Sequence, residues 1–148
     1  MATNKAYWKN PEKYRELQRK WYKNKLKTNL DFRRKEQLRV SKWKKTTAKG
    51  RYCTIKKNSK AKKRLLNITQ QEFIDWYEKQ PEFCFYCQQP RKRENLEIDR
   101  LDNNKPYQLG NMKLACHDCN SVKGEILSKE EMQLIGKLVM EKRWKEEI

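Results

Sequence analysis

The chain has 148 residues, of which 38% are charged and 36% hydrophobic, and its formal net charge is +18. This composition leaves little apolar material, so it favours a small compact unit with an extended, solvated remainder over one large globule. The sequence has no long apolar run and no secretory leader pattern, which argues against a membrane span and against export. We therefore expect a soluble, intracellular, cytoplasmic protein, in which five cysteines favour metal binding over disulfides.

The positive charge is concentrated in the first half of the chain. Residues 1–66 carry 24 Lys and Arg against 4 Asp and Glu, whereas residues 67–148 carry 13 against 15. A polycation binds nucleic acid because it releases the counterions condensed on the phosphates. An anionic membrane surface is the competing partner, but the sequence offers neither a lipidation signal nor a continuous apolar helix face. The asymmetry predicts two domains, a basic arm with a linker over 1–66 and a second domain over 67–148.

Residues 4–45 are predicted to be helical, with a break at Pro11. Aromatic residues recur among the charges, and Tyr7-Trp8 is echoed fourteen residues later by Trp21-Tyr22, close to four helical turns. The pattern fits a helical hairpin whose aromatic residues pack on one another, and it fits an arm whose basic side chains follow phosphates; the two are compatible. Residues 46–66 are interpreted as a linker that leads into a basic helix. The expected DNA contacts in this half are Arg33, Arg34, Lys56, Lys57, Lys62, Lys63 and Arg64.

Two capping boxes predict helices in the second half. Thr69 and Glu72 mark the start of a helix with an apolar stripe that ends before Pro81, and Ser128 and Glu131 mark another. The apolar positions of this last helix are expected on its buried side. They are Met132, Ile135, Leu138, Val139 and Trp144.

Four cysteines stand in two pairs, Cys84-x2-Cys87 and Cys116-x2-Cys119. Two thiolates separated by two residues form a tight knuckle, and two knuckles complete the tetrahedral shell of a structural zinc ion. A closed four-cysteine shell leaves no position for water, so this zinc would stabilise the fold rather than act in catalysis. Unrelated cysteine pairs or redox thiols are the alternative. Cys53 has no such partner and is interpreted as a bystander.

The stretch between the knuckles predicts two short strands and a loop. Residues 95–100 and 111–115 have the alternation of strands, and the loop from Leu101 to Gly110 is rich in turn-forming residues. A short helix is expected after Cys119, which gives a strand, loop, strand and helix order closed at its base by zinc.

Residues 84–124 combine Cys-x2-Cys, Ile-Asp-Arg, Gly-Asn, Cys-x2-Cys-Asn and Lys-Gly in one order. This order resembles the HNH family of endonucleases, also called ββα-metal or His-Me finger nucleases, and the basic lead-in resembles phage-type members. The resemblance implies an α+β fold, with a small zinc-stabilised ββα-metal core, flanking helices and a basic, mainly helical N-terminal arm. It also implies a phage- or virus-encoded protein and an HNH-like nuclease domain over 67–148.

The family resemblance assigns roles to three residues by position. Asp99 matches the carboxylate that binds the catalytic metal, and Asn120 matches the second ligand of that metal. Asn111 matches the middle Asn, which braces the loop and orients the general base. The expected catalytic ion is Mg²⁺ or Mn²⁺, because a carboxylate and an amide oxygen suit a hard cation and leave positions for water and phosphate.

Position 100 departs from the family pattern. The family has a general-base His directly after the Asp, whereas this chain has Arg100, which is always charged and is a poor proton acceptor but can clamp a phosphate. Tyr107 is the favoured base or proton relay, with help from the metal and Arg100. His117 and a metal-bound hydroxide are the alternatives. Lys113 and Lys123 are further expected phosphate contacts, with a solvated helix lysine as the alternative for Lys123, and Glu97 is interpreted as surface charge or a further metal contact.

The leading hypothesis is a metal-dependent endonuclease that hydrolyses the phosphodiester bonds of double-stranded DNA. A monomer would nick one strand, whereas a homodimer would cut both. The alternative is a non-catalytic, zinc-stabilised nucleic-acid-binding protein, for which Arg100 is the main argument. RNA is the competing substrate.

Overall fold

The computed structural model describes residues 10–140, except for the side chains of Val139 and Met140. The chain divides into two compact units with the boundary between Lys42 and Trp43. Within the described residues it forms six α-helices and one two-stranded antiparallel sheet. None of the helices described is long and apolar enough to cross a membrane. The observed class is the α+β fold that the sequence predicts.

Helices α1 (Pro11–Thr28) and α2 (Leu30–Thr46) account for the first unit, and α2 continues past its boundary. Pro11 begins α1 instead of breaking a helix, because the Asn10 side chain accepts from the Lys13 amide and proline suits the first helical position. The break falls at Asn29, whose side chain accepts from the Phe32 amide at 2.8 Å. The predicted helix over residues 4–9 lies outside the described residues, as do Tyr7 and Trp8.

Aromatic contacts join α1 to α2. The Phe32 ring lies 6.1 Å from the Trp21 ring and 5.7 Å from the Tyr22 ring, both in edge-to-face arrangements. The Tyr22 hydroxyl also donates to Glu36 at 2.6 Å. These contacts show that aromatic residues of the two helices pack on one another, as the hairpin interpretation expects. Neither helix has a buried residue, so the hairpin is held by few contacts and most of its basic side chains face water.

Helix α3 (Ala48–Ala61) occupies most of the stretch that the sequence suggested was a linker. Thr47 caps its start, and its second turn contributes Tyr52 and Ile55 to the core. Gly50 allows the tight turn between the end of α2 and the start of α3, since a Cβ there would lie 2.3 Å from the Trp43 carbonyl oxygen. The compact units therefore divide after Lys42, whereas the sequence division falls after Leu66. The DNA-binding role of residues 1–66 stays a prediction.

The end of α3 is a Schellman turn. The amide of Lys63 donates to the carbonyl of Lys60, and the amide of Arg64 donates to Ser59 at 2.8 Å. Lys63 has φ 52°, a left-handed conformation that normally favours glycine. Helix α4 (Gln70–Glu78) follows, and its Thr69 capping box is formed as predicted.

The two predicted strands are β1 (Glu97–Arg100) and β2 (Met112–Ala115), which pair antiparallel with Asp99 opposite Lys113. A 3₁₀ turn (Arg93–Asn95) leads into β1. Helix α5 (His117–Lys123) packs on β1. It begins inside the second knuckle and not after Cys119 as the sequence suggested, because the Cys116 sulfur caps it by accepting from the Cys119 amide at 3.4 Å.

Helix α6 (Lys129–Ile135) starts with the predicted Ser128 capping box and continues as a π-helix (Gly136–Met140). Met132 is completely buried, but Leu138 is 60% exposed, so its predicted burial is wrong. A π-turn moves the later side chains off the face that Met132 defines. The predicted positions of the Val139 side chain and of Trp144 lie outside the described residues.

The core of the second unit joins helices, sheet and knuckles into one cluster. Its largest fully buried apolar side chains are Tyr86, Phe73, Leu96, Met112 and Met132. The four knuckle cysteines are buried in the same cluster, so the zinc site forms part of the core rather than an appendage.

Candidate metal centre and active site

The four knuckle cysteines form one buried group. Their sulfur atoms all lie within 4.8 Å of one another, and those of Cys87 and Cys116 are 3.9 Å apart. A tetrahedral zinc with Zn–S bonds of about 2.3 Å places its sulfurs about 3.8 Å apart, so the group fits this ion. The Cys84 sulfur also accepts from the Cys116 amide at 3.2 Å, an outer hydrogen bond that suits a thiolate. The predicted four-cysteine site is thus confirmed in its geometry.

The electrostatics of these thiols also fit a cation. Hydrogen bonds from the three other thiols hold the pKa of Cys84 well below its usual range, and those from Cys116 and Cys119 lower that of Cys87 to about 7. The pKa of Cys119 is raised well above its usual range, first by its hydrogen bonds with the three other thiols and then by burial and by the charge on Cys84. A divalent cation removes this conflict and allows all four to be thiolates.

Tyr86 connects the first knuckle to the candidate catalytic carboxylate. Tyr86 lies between Cys84 and Cys87 in the sequence. Its side chain is buried, and its hydroxyl donates to Asp99 Oδ2 at 2.6 Å. Burial raises the pKa of Asp99, against the lowering effect of the hydrogen bond from Tyr86 and of the charge on Lys123. Burial and the neighbouring carboxylate raise the pKa of Tyr86 well above its usual range, so the hydroxyl remains a donor. The first cysteine knuckle therefore orients Asp99 through Tyr86.

Lys123 is completely buried. The sequence predicted either a DNA contact or a solvated helix lysine at this position, and its burial corrects both predictions. Its ammonium group donates to the Arg100 carbonyl at 2.8 Å and lies 3.4 Å from both Asp99 Oδ1 and Asn103 Oδ1. Strand β1 and the loop that follows it thus close over the ammonium group. Lys123 holds the end of β1 against α5 and is not available to a phosphate in this structure.

Arg100 organises the loop after β1. Its guanidinium donates to the carbonyls of Asn103 and Lys105 at 2.7 and 3.0 Å and stacks on the Tyr107 ring at 5.3 Å. The backbone of Tyr107 is held from the other side, because its amide donates to Leu65 and its carbonyl accepts from the amide of Asn67. Arg100 therefore holds the ring of Tyr107, the favoured base, while the segment after α3 holds its backbone.

Asn111 braces this loop as the family resemblance implies. Its side-chain amide donates to the carbonyls of Asp102 and Pro106 at 3.1 and 3.0 Å, and its Oδ1 accepts from the Asp102 amide at 2.9 Å. These three hydrogen bonds hold both ends of the turn that precedes Tyr107. Asn111 is 5% exposed, so its contribution is to loop shape and not to a direct contact with substrate.

Asn120 faces Glu97 across the interface between α5 and β1. Its side-chain amide donates to Glu97 Oε2 at 2.6 Å, and Glu97 Oε1 lies 3.0 Å from His117 Nδ1. Burial raises the pKa of Glu97, but the hydrogen bonds with Asn120 and His117 outweigh it and lower that pKa overall. The Glu97 carboxylate raises the pKa of His117. The His117 side chain is 75% exposed and does not border the cleft described next, which disfavours it as the base.

One cleft of about 190 Å³ brings the candidate residues together. Its lining includes four of the five residues that the sequence singled out for catalysis, all except Asn111, together with two of the expected DNA contacts. They are Asp99, Arg100, Tyr107, Asn120, Lys62 and Arg64. The cleft adjoins a wider basic depression of about 760 Å³, which shares this lining at Arg100 and also contains Lys63 and Lys105. Tertiary structure thus joins the turn after α3 to the catalytic candidates.

Glu125 is an acidic residue at the edge of this basic cleft. It accepts from the Arg64 guanidinium, and its side chain is 69% exposed. Sequence reasoning did not find this pair, nor the roles of Tyr86 and Glu97. The only local signal was the Lys62-Lys63-Arg64 run, since Glu125 is 61 residues away from its partner.

The remaining expected DNA contacts lie elsewhere. Lys56 and Lys57 are exposed on α3, and Lys113 places its ammonium group 5.4 Å from the centre of the Phe85 ring. In the first unit, Arg33 is half-buried and Arg34 exposed. Their contacts with DNA stay predictions.

Candidate metal sites are groups of three or more His, Cys, Asp and Glu side chains. Within residues 10–140, the four knuckle cysteines are the group whose ligand atoms lie close enough together to hold a metal ion.

Neither the models of protein families nor the curated proteins provide a match to this chain. Among solved structures, the chain is similar to the rare-cutting HNH restriction endonuclease PacI, with a TM-score of 0.57 and 24% identity. The likeness covers 65% of this chain and 78% of that chain. At this identity the likeness shows the fold, and it confirms the HNH-type fold that the motifs predict.

Proposed function

We propose that this chain is a metal-dependent endonuclease that hydrolyses phosphodiester bonds of double-stranded DNA. One observation carries the proposal: four of the five catalytic candidates border a single cleft together with Lys62 and Arg64, although they are spread along the sequence from Asp99 to Asn120. The fold likeness to an HNH restriction endonuclease supports the same reaction class. The net charge of +18 supports a polyanionic substrate.

Asp99 and Asn120 fit a divalent ion of the Mg²⁺ or Mn²⁺ type. A carboxylate offers about four lone-pair positions, and Tyr86 and Lys123 use only part of them. Asn120 turns its nitrogen to Glu97, which leaves its oxygen for a cation. When bound, such an ion supplies charge stabilisation for the phosphate and the leaving 3′ oxygen. Cys84, Cys87, Cys116 and Cys119 would hold a structural zinc, which would keep Tyr86 and, through it, Asp99 in place and would take no part in the chemistry.

Hydrolysis needs a base, a bound phosphate and a leaving group. Tyr107, as the phenolate, accepts a proton from water while the water oxygen forms a bond to phosphorus. The bond from phosphorus to the 3′ oxygen breaks, and that oxygen takes a proton from solvent. Lys62 and Arg64 bind phosphate oxygens of the substrate strand. Arg100 stacks on the Tyr107 ring and holds it in place.

The basic helical hairpin of the first unit adds affinity for DNA that does not depend on sequence. A single site cuts one strand, so a monomer nicks and a homodimer makes a double-strand break. The same proposal includes that the protein is a phage-type HNH nuclease in which Arg100 replaces the usual general-base His.

Conversion of a supercoiled plasmid to nicked circles tests the proposal. Zinc-loaded protein is incubated with Mg²⁺ or Mn²⁺, and wild type is compared with Asp99→Asn and Tyr107→Phe. We expect each substitution to lower the rate about 100-fold or more, because each removes a group that acts on the reacting atoms. Tyr52→Phe is the matched control, since its hydroxyl lies in the core and bonds the Ile68 carbonyl. Absence of metal-dependent cutting by wild type would refute the proposal.

The second candidate is a non-catalytic, zinc-stabilised DNA-binding protein. It is favoured by the contacts of Asp99, because Tyr86 and Lys123 give this carboxylate a structural role that needs no catalytic ion. Under this alternative, wild type and Asp99→Asn bind duplex DNA with equal affinity, and neither protein cuts it. Parallel reactions with duplex RNA and single-stranded RNA distinguish a ribonuclease from both.

A further inference from the structure

Glu97 is the residue that connects β1 to the exposed side of α5. Glu97 and Asp99 lie on the same face of the strand, and α5 packs against β1. One oxygen of the Glu97 carboxylate accepts from Asn120 at 2.6 Å, and the other lies 3.0 Å from His117 Nδ1. His117 and Asn120 stand three positions apart, so both reach the same carboxylate from one side of the helix.

This arrangement determines which atom of the Asn120 amide is free. A carboxylate can only accept hydrogen bonds, so the atom that faces it must be the amide nitrogen. The amide oxygen is then directed away from Glu97. His117 occupies the second carboxylate oxygen, which keeps Glu97 from rotating away from Asn120. Without these contacts the Asn120 amide would be free to turn and to present either atom.

We propose that Glu97 is a positioning residue that presents the Asn120 amide oxygen to the divalent ion of the cleft, with His117 as its brace. The inference rests on the proposed nuclease function and adds the group that orients one of its two metal ligands. It gives His117 a task other than proton transfer. It differs from the two earlier interpretations of Glu97, as surface charge and as a metal ligand, because it assigns the two carboxylate oxygens to Asn120 and His117.

Paramagnetic broadening by Mn²⁺ in NMR spectra tests the inference without relying on cleavage. The full chain is loaded with zinc, labelled with ¹⁵N and titrated with Mn²⁺, and the side-chain amide signal of Asn120 is followed. We expect Glu97→Gln to need about tenfold more Mn²⁺ than wild type for the same broadening, the scale of outer-sphere substitutions at metal sites. Glu78→Gln removes the same charge from an exposed position on α4 and should match wild type.

Exchanging the two side chains gives a second test. In Asn120→Asp alone two carboxylates would face each other, whereas Glu97→Gln with Asn120→Asp restores one donor and one acceptor. We expect the double variant to recover Mn²⁺ sensitivity relative to Glu97→Gln, read on the backbone amide of residue 120. Failure of the double variant to recover Mn²⁺ sensitivity would overturn the inference.

The outcomes separate the inference from the proposed function. If wild type cuts plasmid and binds Mn²⁺ at Asn120 while Glu97→Gln does both equally well, only the positioning role is refuted. If wild type neither cuts nor shows broadening at Asn120, the nuclease function and the positioning role both fail. Equal melting temperatures of wild type and Glu97→Gln confirm that a change in Mn²⁺ response does not come from unfolding.

Discussion

Lys123 and Asp99 form a buried charge pair whose contribution to stability can be measured. Their side chains are 0% and 6% exposed, and Lys123 Nζ lies 3.4 Å from Asp99 Oδ1. We compare Lys123→Met, Asp99→Asn and the double variant. Methionine keeps most of the volume of lysine, and asparagine can still accept from the Tyr86 hydroxyl, so neither change opens a large cavity.

Each single substitution leaves one buried charge without its partner. Breaking a buried pair in this way costs about 3–5 kcal/mol, whereas removing both charges is often close to neutral. Lys123→Met also loses the hydrogen bond to the Arg100 carbonyl, worth about 1 kcal/mol, in both the single and the double variant. We therefore expect the double variant to be more stable than the sum of the singles predicts, by about 2 kcal/mol or more.

Urea unfolding of zinc-loaded protein, followed by circular dichroism, gives these free energies. Lys60→Met, an exposed lysine on α3, is the control and should change stability by less than about 0.5 kcal/mol. Strictly additive effects, or single costs below about 1 kcal/mol, would refute the view that the two buried charges compensate each other. The double variant should remain folded yet fail to cut DNA, which separates the structural role of Asp99 from its catalytic role.

Three further outcomes follow from the second unit. Removing zinc with a chelator, or substituting Cys116→Ser, should unfold the second unit, because the sulfur atoms of the four cysteines lie in its core. Circular dichroism and a count of reactive thiols measure the unfolding. Retained structure would contradict this expectation. Lys63→Gly should raise the free energy of unfolding by about 1 kcal/mol, because φ 52° suits glycine; no gain in urea unfolding would argue against strain there. Glu125→Gln should tighten binding to duplex DNA about threefold at low salt, because it frees Arg64, whereas Glu78→Gln should not; anisotropy titrations measure both, and equal effects would indicate net charge alone.

Features that depend on residues close in sequence were predictable from the sequence. The capping boxes at Thr69 and Ser128 form because donor and acceptor are three positions apart. The cysteine knuckles follow from a two-residue spacing, and the strands β1 and β2 follow from short-range alternation with a turn-rich loop between them. These local rules were enough to predict the α+β class and the four-cysteine zinc site.

Other features depend on contacts between segments far apart in the sequence. The stretch from 48 to 61 has a basic, linker-like composition, yet it is a helix of the core because Tyr52 and Ile55 pack in the core cluster, where the Tyr52 ring lies 5.5 Å from the ring of Phe73. Lys123 is buried because the end of β1 and its loop supply oxygen acceptors that no local pattern reveals. For the same reason the roles of Tyr86 and Glu97 became visible only in the fold. The sequence by itself determined which residues were available for the site, and tertiary structure decided which of them face a cleft and which hold others in place, since burial and hydrogen-bond partners are properties of the folded chain.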